Sequence, residues 1–152
     1  MKIAIVTVTL LLTTGCSIFQ FPHTHEELKS TSKFTHTICS ERKPMELYKA
    51  LVKQSAICHM DIKSENYVER KYAYYVNRYY ALKGKEAIPH SIALWTKGGG
   101  GLSPSVLSLV EINETKECSS SVDFYFSNGF WEGALTDYKA WINGDDGVCE
   151  LM

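Results

Sequence analysis

The amino-acid sequence predicts an α+β domain over residues 34–152, with an antiparallel sheet of about four strands and two helices packed on one face. Three observations predict this class. Short runs rich in β-branched and aromatic residues are separated by turn-forming residues, as in an antiparallel sheet. Two longer segments have apolar residues at the three-to-four spacing that is typical of helices. Four cysteines in this part of the chain indicate disulfides that stabilise the fold.

The first helix is predicted over Pro44–Cys58, because Leu47 and Leu51 recur at helical spacing and a proline is favoured in a first helical turn. The second helix is predicted over Glu132–Ile142. It should end near Asn143-Gly144, since glycine often follows the last residue of a helix. The two helices account for the α part of the predicted class.

Most of the predicted strands lie between the two helices. One segment, Tyr67–Leu82, fits both a helical stripe and a strand, and its many tyrosines and its valines favour a strand. Asn128-Gly129 stands between two aromatic runs and predicts a hairpin turn. The remaining β-rich runs are Phe34–Cys39, Ser91–Lys97, Val106–Glu111 and Ser121–Phe126.

The first residues of the chain have a different character. Lys2 is followed by an apolar run, Ile3–Leu12, and then by Thr13-Thr14-Gly15-Cys16. About ten apolar residues are too few for a membrane-spanning helix, which needs roughly 20, but they suit the hydrophobic region of a secretory signal. Two other interpretations of the segment are a signal anchor that is not cleaved and an ordinary secretory signal cut near Gly15.

This order of residues resembles a bacterial lipoprotein signal peptide with its lipobox. One position departs from the usual box, since Thr13 stands where leucine is common and Leu12 lies one place earlier. The resemblance implies that residues 1–15 are removed and that Cys16 carries a thioether-linked diacylglycerol and an N-acyl chain. Ser17 then implies the outer membrane, provided that the host is Gram-negative. Residues 16–33 are mixed and polar and are expected to form a tether with a reach of about 20–25 Å.

Five cysteines occur in the chain, and Cys16 is the one assigned to the lipid. An even remainder in an exported protein predicts two disulfides among Cys39, Cys58, Cys118 and Cys149. If Cys39 paired with Cys58, the five residues from Cys39 to Pro44 would have to span the length of the helix. They reach about 17 Å at most, and the helix is roughly 21 Å long. We therefore favour Cys39–Cys118 with Cys58–Cys149, and the other pairings stay open.

The net charge of −1 and the absence of any block of lysine and arginine argue against nucleic acid or anionic lipid as a primary partner. No spacing predicts a metal site or a bound cofactor. His23, His25 and His36 could ligate a transition metal, but incidental histidines in a tether explain them better. His59 and His90 are isolated and are expected to be structural. Gly98–Gly101 is expected to be a loop and Asp145-Asp146 a surface turn.

No sequence motif supplies a catalytic nucleophile with its base. The aromatic residues are expected to be mostly core, and a few exposed together would mark a binding surface. Tyr72, Tyr74, Tyr75, Tyr79, Tyr80, Trp95, Phe130 and Trp131 make up this set.

The spacing of Cys39, Cys58, Trp141-Ile142-Asn143-Gly144 and Cys149 is similar to that of small lipoproteins of Gram-negative bacteria, a resemblance that brings no activity with it. We expect a non-enzymatic envelope lipoprotein with a binding or structural role. Its partners would be the membrane, through Cys16, and an envelope protein. The alternatives are an inhibitor of a secreted enzyme such as lysozyme and a cell-wall hydrolase.

Overall fold

The computed structural model describes residues 21–60, 66–69, 72–76, 79–98 and 103–150. The predicted signal peptide, Cys16 and Gly99–Gly101 lie outside these residues. The elements in chain order are α1 (His25–Thr31), β1 (Phe34–Ser40), α2 (Pro44–His59), β2 (Asn66–Glu69), β3 (Tyr72–Val76), β4 (Tyr80–Lys85), β5 (His90–Thr96), β6 (Val106–Glu114), β7 (Ser120–Phe126), α3 (Gly129–Glu132) and α4 (Leu135–Asn143).

The strands form one antiparallel sheet in the order β1-β7-β6-β5-β4-β3-β2, so the α+β class is confirmed. The sheet has seven strands where about four were predicted. The difference arises mainly in Tyr67–Leu82, which we expected to be a single strand. It contributes to three short antiparallel strands, β2, β3 and β4. Residues 70–71 and 77–79, which separate these strands in the sequence, include no glycine or proline, so no turn signal divides the segment.

The main hydrophobic core lies between the sheet and the helices α2 and α4. Alternate residues of β7 point into this core, because side chains of a strand alternate between its two faces. From this strand Val122, Phe124 and Phe126 are fully buried. Trp141 and Tyr138 of α4 are the largest fully buried side chains, and their rings meet at 4.9 Å between centroids. The predicted helix Pro44–Cys58 is confirmed as α2, with Pro44 in its first turn.

Helix α1 packs on the opposite face of the sheet. Its one buried residue, Leu28, is 0% exposed and joins Ala93, Val106 and Leu109 in a second, smaller core. The helix begins after Thr24, whose hydroxyl accepts a hydrogen bond from the backbone N–H of Glu27 at 3.0 Å.

One expectation is corrected by α1. Residues 21–33 were predicted to be part of a flexible tether, but residues 25–31 are helical and are held on the sheet by Leu28. The two predicted helices share one face of the sheet as expected, and α1 is a further helix that covers the other face. A seven-residue helix with a single buried apolar residue has no periodic pattern for the sequence to reveal.

The hairpin predicted at Asn128-Gly129 is wrong. The side-chain oxygen of Asn128 accepts hydrogen bonds from the N–H groups of Phe130 and Trp131 and caps α3. Asparagine favours both turns and helix N-caps, and here the cap forms. The second predicted helix is divided accordingly between α3 and α4. It ends as expected at Gly144, which has the left-handed φ of 94° that glycine adopts readily.

Two disulfides are present, and their pairing is the one we favoured. Cys39–Cys118 joins strand β1 to the turn before β7, with Cα atoms 5.9 Å apart. Cys58–Cys149 joins the last turn of α2 to the chain that follows α4, with Cα atoms 5.4 Å apart. Each bridge therefore connects parts of the fold that are distant in sequence. No helix in the described part of the chain has the length and apolar character needed to cross a membrane.

Candidate functional site

One end of the sheet carries a cluster of aromatic side chains. Because neighbouring strands are antiparallel, the start of β4, the end of β5, the start of β6 and the end of β7 meet at the same end. The residue before β4 and the first residue of β4 are Tyr79 and Tyr80, and α3, which follows β7, adds Phe130 and Trp131. We call this end of the domain, which carries these four residues, the aromatic end.

The four rings form a chain of contacts. Ring centroids are 6.5 Å apart between Tyr79 and Tyr80, 5.6 Å between Tyr80 and Trp131, and 5.2 Å between Trp131 and Phe130. The last two pairs meet nearly at right angles, at 81° and 88°. Such edge-to-face pairs contribute about 0.5–1.5 kcal/mol beyond the area they bury. The cluster is therefore held in a defined arrangement.

The cluster has a buried side and an exposed side. Tyr80 and Trp131 pack against the main core, whereas Tyr79 is 61% exposed and Phe130 is 66% exposed. Backbone contacts fix both exposed residues: the N–H of Lys97 donates to the carbonyl of Tyr79 at 2.9 Å, and Asn128 caps the turn that holds Phe130. Exposed aromatic side chains on a rigid support are typical of interaction surfaces.

The N-terminal part of the described chain reaches the same end of the sheet. The N–H of Val106, the first residue of β6, donates to the carbonyl of Pro22 at 2.7 Å. His23 Nδ1 lies 2.9 Å from the carbonyl oxygen of Pro104, in the loop just before β6. Phe21, which is 37% exposed, precedes these contacts. The described chain therefore begins at the aromatic end.

The three histidines considered as metal ligands have separate partners. His23 contacts the carbonyl of Pro104, the ring of His25 lies 5.5 Å from that of Trp95, and His36 Nε2 lies 2.6 Å from a carboxylate oxygen of Glu132. Within the described residues, no three His, Cys, Asp or Glu side chains form a group that could hold a metal ion.

A cleft of about 480 Å³ lies between α1 and the strands β4, β5 and β6. Its charges are mixed, and Lys29 and Glu111 pair across it at 2.7 Å. His25 lines the cleft, and burial lowers the pKa of the His25 imidazole. Its lining residues are His25, Glu26, Lys29, Ser30, Lys85, Pro89, Ser91 and Glu111.

His59 and His90, the two histidines that an enzymatic site would have used, do not line this cleft. His90 is buried, stacks on the ring of Tyr48 at 5.5 Å and contacts the carbonyl of Glu86 through Nδ1. His59 packs against the rings of Tyr138 and Trp141, at 6.2 and 5.9 Å. Both side chains thus support the packing of α2 against its neighbours, as the sequence suggested.

Burial lowers the pKa of His59 below its ordinary 6.5, although the nearby charge of Asp137 acts in the opposite direction. The unfolded chain therefore binds this proton more tightly than the folded one. The stability contributed by the neutral imidazole is complete above about pH 6.5 and declines as the pH falls below it.

We expect His59→Gln to reduce the pH dependence of the unfolding free energy below about pH 6.5. Urea unfolding of wild type and variant across this range measures the effect. An equal pH dependence of the unfolding free energy in the variant and the wild type would contradict this prediction. His25→Gln, at the second histidine with a lowered pKa, should reduce this pH dependence independently.

Asp145-Asp146, which was expected to be a surface turn, lies at the surface. Asp145 and Asp146 are exposed in the turn after α4, and the N–H of Asp145 donates to the carbonyl of Ala140 at 2.9 Å.

Of the aromatic residues expected to be core, Tyr79 and Phe130 are exposed. The side chains of Tyr72 and Tyr74 lie outside the described part of the structure. Neither exposed residue could be singled out from the sequence, because their exposure depends on where strand ends meet.

The chain matches no protein-family model, no curated protein and no solved structure.

Proposed function

We propose that this protein is a lipid-anchored domain of the bacterial envelope with a non-enzymatic binding or structural role. Residues 1–15 are removed as a signal peptide, and Cys16 carries the lipid that holds the domain on the membrane. Ser17 directs it to the outer membrane. The aromatic end is the surface through which the domain contacts its partner.

The observation that carries this proposal is the position of Phe21 at the aromatic end. Cys16 precedes Phe21 by five residues, which span about 17 Å at most. The lipid and the exposed aromatic side chains therefore belong to the same end of the molecule. A lipid anchor of two or more acyl chains gives stable attachment, since each buried methylene contributes about 0.8 kcal/mol.

One further feature supports an exported protein. Both disulfides require an oxidising compartment, such as the bacterial periplasm, to persist.

Replacing Cys16 with serine tests the anchor. The variant should move from the membrane fraction to the soluble fraction, because no acyl chain can be attached. Fractionation and immunoblotting measure the shift, and mass spectrometry of the wild type should find acyl chains on an N-terminal Cys16. A Cys16→Ser protein that stays in the membrane with residues 1–15 uncleaved would show that the segment is a signal anchor and contradict the proposal.

Ser17→Asp is the matched control for the same experiment. It leaves Cys16 intact, so the protein should remain acylated and membrane-bound. The resemblance to Gram-negative lipoproteins predicts that it moves from the outer to the inner membrane, which density-gradient separation resolves.

A further inference from the structure

We infer that the aromatic end is a membrane-docking surface, which contacts the headgroup region of the same bilayer that holds the lipid on Cys16. The inference rests on the proposed function, and it names the partner of the aromatic end as the bilayer itself. The domain would then have a fixed orientation on the membrane in place of free rotation at the end of a tether.

The link between the bilayer and the folded domain is short. Phe21 and Pro22 are held at the aromatic end by the hydrogen bond from Val106 N–H to the Pro22 carbonyl. Only residues 17–20 separate Cys16 from Phe21. Strand β6, with nine residues, extends about 25–30 Å from this end to the other. A link of at most about 17 Å therefore holds the aromatic end close to the headgroups and leaves the opposite end remote.

The aromatic end has side chains whose chemistry suits a membrane–water interface. Tyrosine and tryptophan concentrate at membrane–water interfaces, where an apolar ring and a polar group are both satisfied. The aromatic end presents this combination: Phe130 and Tyr79 project from the domain, and Tyr80 and Trp131 continue the cluster inward to the core.

Exposed lysine side chains also lie at the aromatic end. Lys33 and Lys97 are both exposed at this end, one before the first residue of β1 and the other after the last residue of β5. Glu132, the acidic residue of α3, is hydrogen-bonded to His36 Nε2 at 2.6 Å. Lysine side chains beside an aromatic surface can lay their methylenes along it and place their ammonium groups among lipid phosphates.

The anchor also explains why a bilayer fits this surface better than a protein. A surface attached to a membrane by a short link meets that membrane at a high effective concentration, so that weak contacts suffice for docking. A protein partner would have to enter the gap between the domain and the bilayer.

Tryptophan quenching tests the orientation directly. The chain has three tryptophans: Trp131 in the aromatic end, Trp95 packed against the smaller core, and the fully buried Trp141. We expect that vesicles of phosphatidylethanolamine and phosphatidylglycerol with brominated acyl chains quench the acylated wild-type protein. Trp131→Phe should remove most of this quenching, and Trp95→Phe should leave it. Quenching that survives in Trp131→Phe, or that disappears in Trp95→Phe, would overturn the inference.

A pair of matched substitutions tests the binding contribution. Phe130→Ser and Ile88→Ser each replace a side chain that is 66% exposed, but Ile88 lies before β5, at the opposite end of the sheet. In the full-length mature chain with Cys16→Ser, Phe130→Ser should lower the partition into the same vesicles about tenfold, and Ile88→Ser should leave it unchanged. Equal partition of the two variants would overturn the inference.

The two proposals fail in different ways. Absence of acyl chains from Cys16 by mass spectrometry would remove the proposed function, whatever the vesicles show. An acylated protein whose Trp131 is not quenched would leave the anchor in place and overturn the docking surface alone. A photocross-linker at position 130 in cells should join to lipid, and a cross-link to protein in its place would also overturn the inference.

Discussion

Replacing both Cys39 and Cys118 with alanine is expected to lower the free energy of unfolding by about 4 kcal/mol. The bridge closes a separation of 79 residues, so its loss releases a long loop in the unfolded chain. Among the described strands, β1, which carries Cys39, lies at one edge of the sheet and pairs only with β7. The disulfide is therefore the covalent link that holds this edge strand to the turn before its neighbour.

Urea unfolding of the variant and of the oxidised wild type measures this loss. Replacing Cys58 and Cys149 is the matched comparison, because that bridge closes a similar separation of 91 residues and should have a similar effect. The reduced wild type should be less stable than either double variant. A loss below about 1 kcal/mol for both pairs would mean that the bridges contribute little to the stability of the domain.

The second large effect is expected at Gly84. A Cβ atom placed on Gly84 in strand β4 would lie 2.4 Å from the hydroxyl oxygen of Tyr48, which is far inside contact distance. The tyrosine has little room to move, because its side chain is 2% exposed and its ring stacks on His90. We expect Gly84→Ala to lower the free energy of unfolding by about 1–3 kcal/mol, as overpacking of a core does.

Tyr48→Phe should rescue Gly84→Ala. The nearest atom to the added methyl group would then be Cζ at 3.3 Å, a distance that a small adjustment relieves. The hydroxyl itself has no hydrogen-bond partner within the described residues, and burial raises the pKa of Tyr48 to about 12. Its removal alone should therefore cost little or increase stability.

A double-mutant cycle in urea measures the coupling of these two positions, and we expect at least about 1 kcal/mol. Val52→Ala is a useful control, since Val52 also faces Gly84 but lies 3.5 Å from the added atom. If Tyr48→Phe leaves the effect of Gly84→Ala unchanged, the loss comes from the backbone of β4 and not from the close approach of Tyr48.

Several parts of the fold were determined by local sequence. Helix α2 follows from the spacing of Leu47 and Leu51 behind Pro44, because a long amphipathic segment specifies both its conformation and its buried face. The strands β1, β5, β6 and β7 follow from β-rich runs in the same way. The presence of two disulfides follows from the even number of cysteines after Cys16.

Tertiary structure alone decided the rest, since these features depend on contacts between residues distant in sequence. Helix α1 is too short to be stable by itself and is held by Leu28 against strands β5 and β6. Asn128 could begin either a turn or a helix, and in the fold its side chain caps α3, which lies beside β7. Tyr79 and Phe130 are exposed together, and close to the start of the described chain, only because antiparallel strands bring their ends to one edge of the domain.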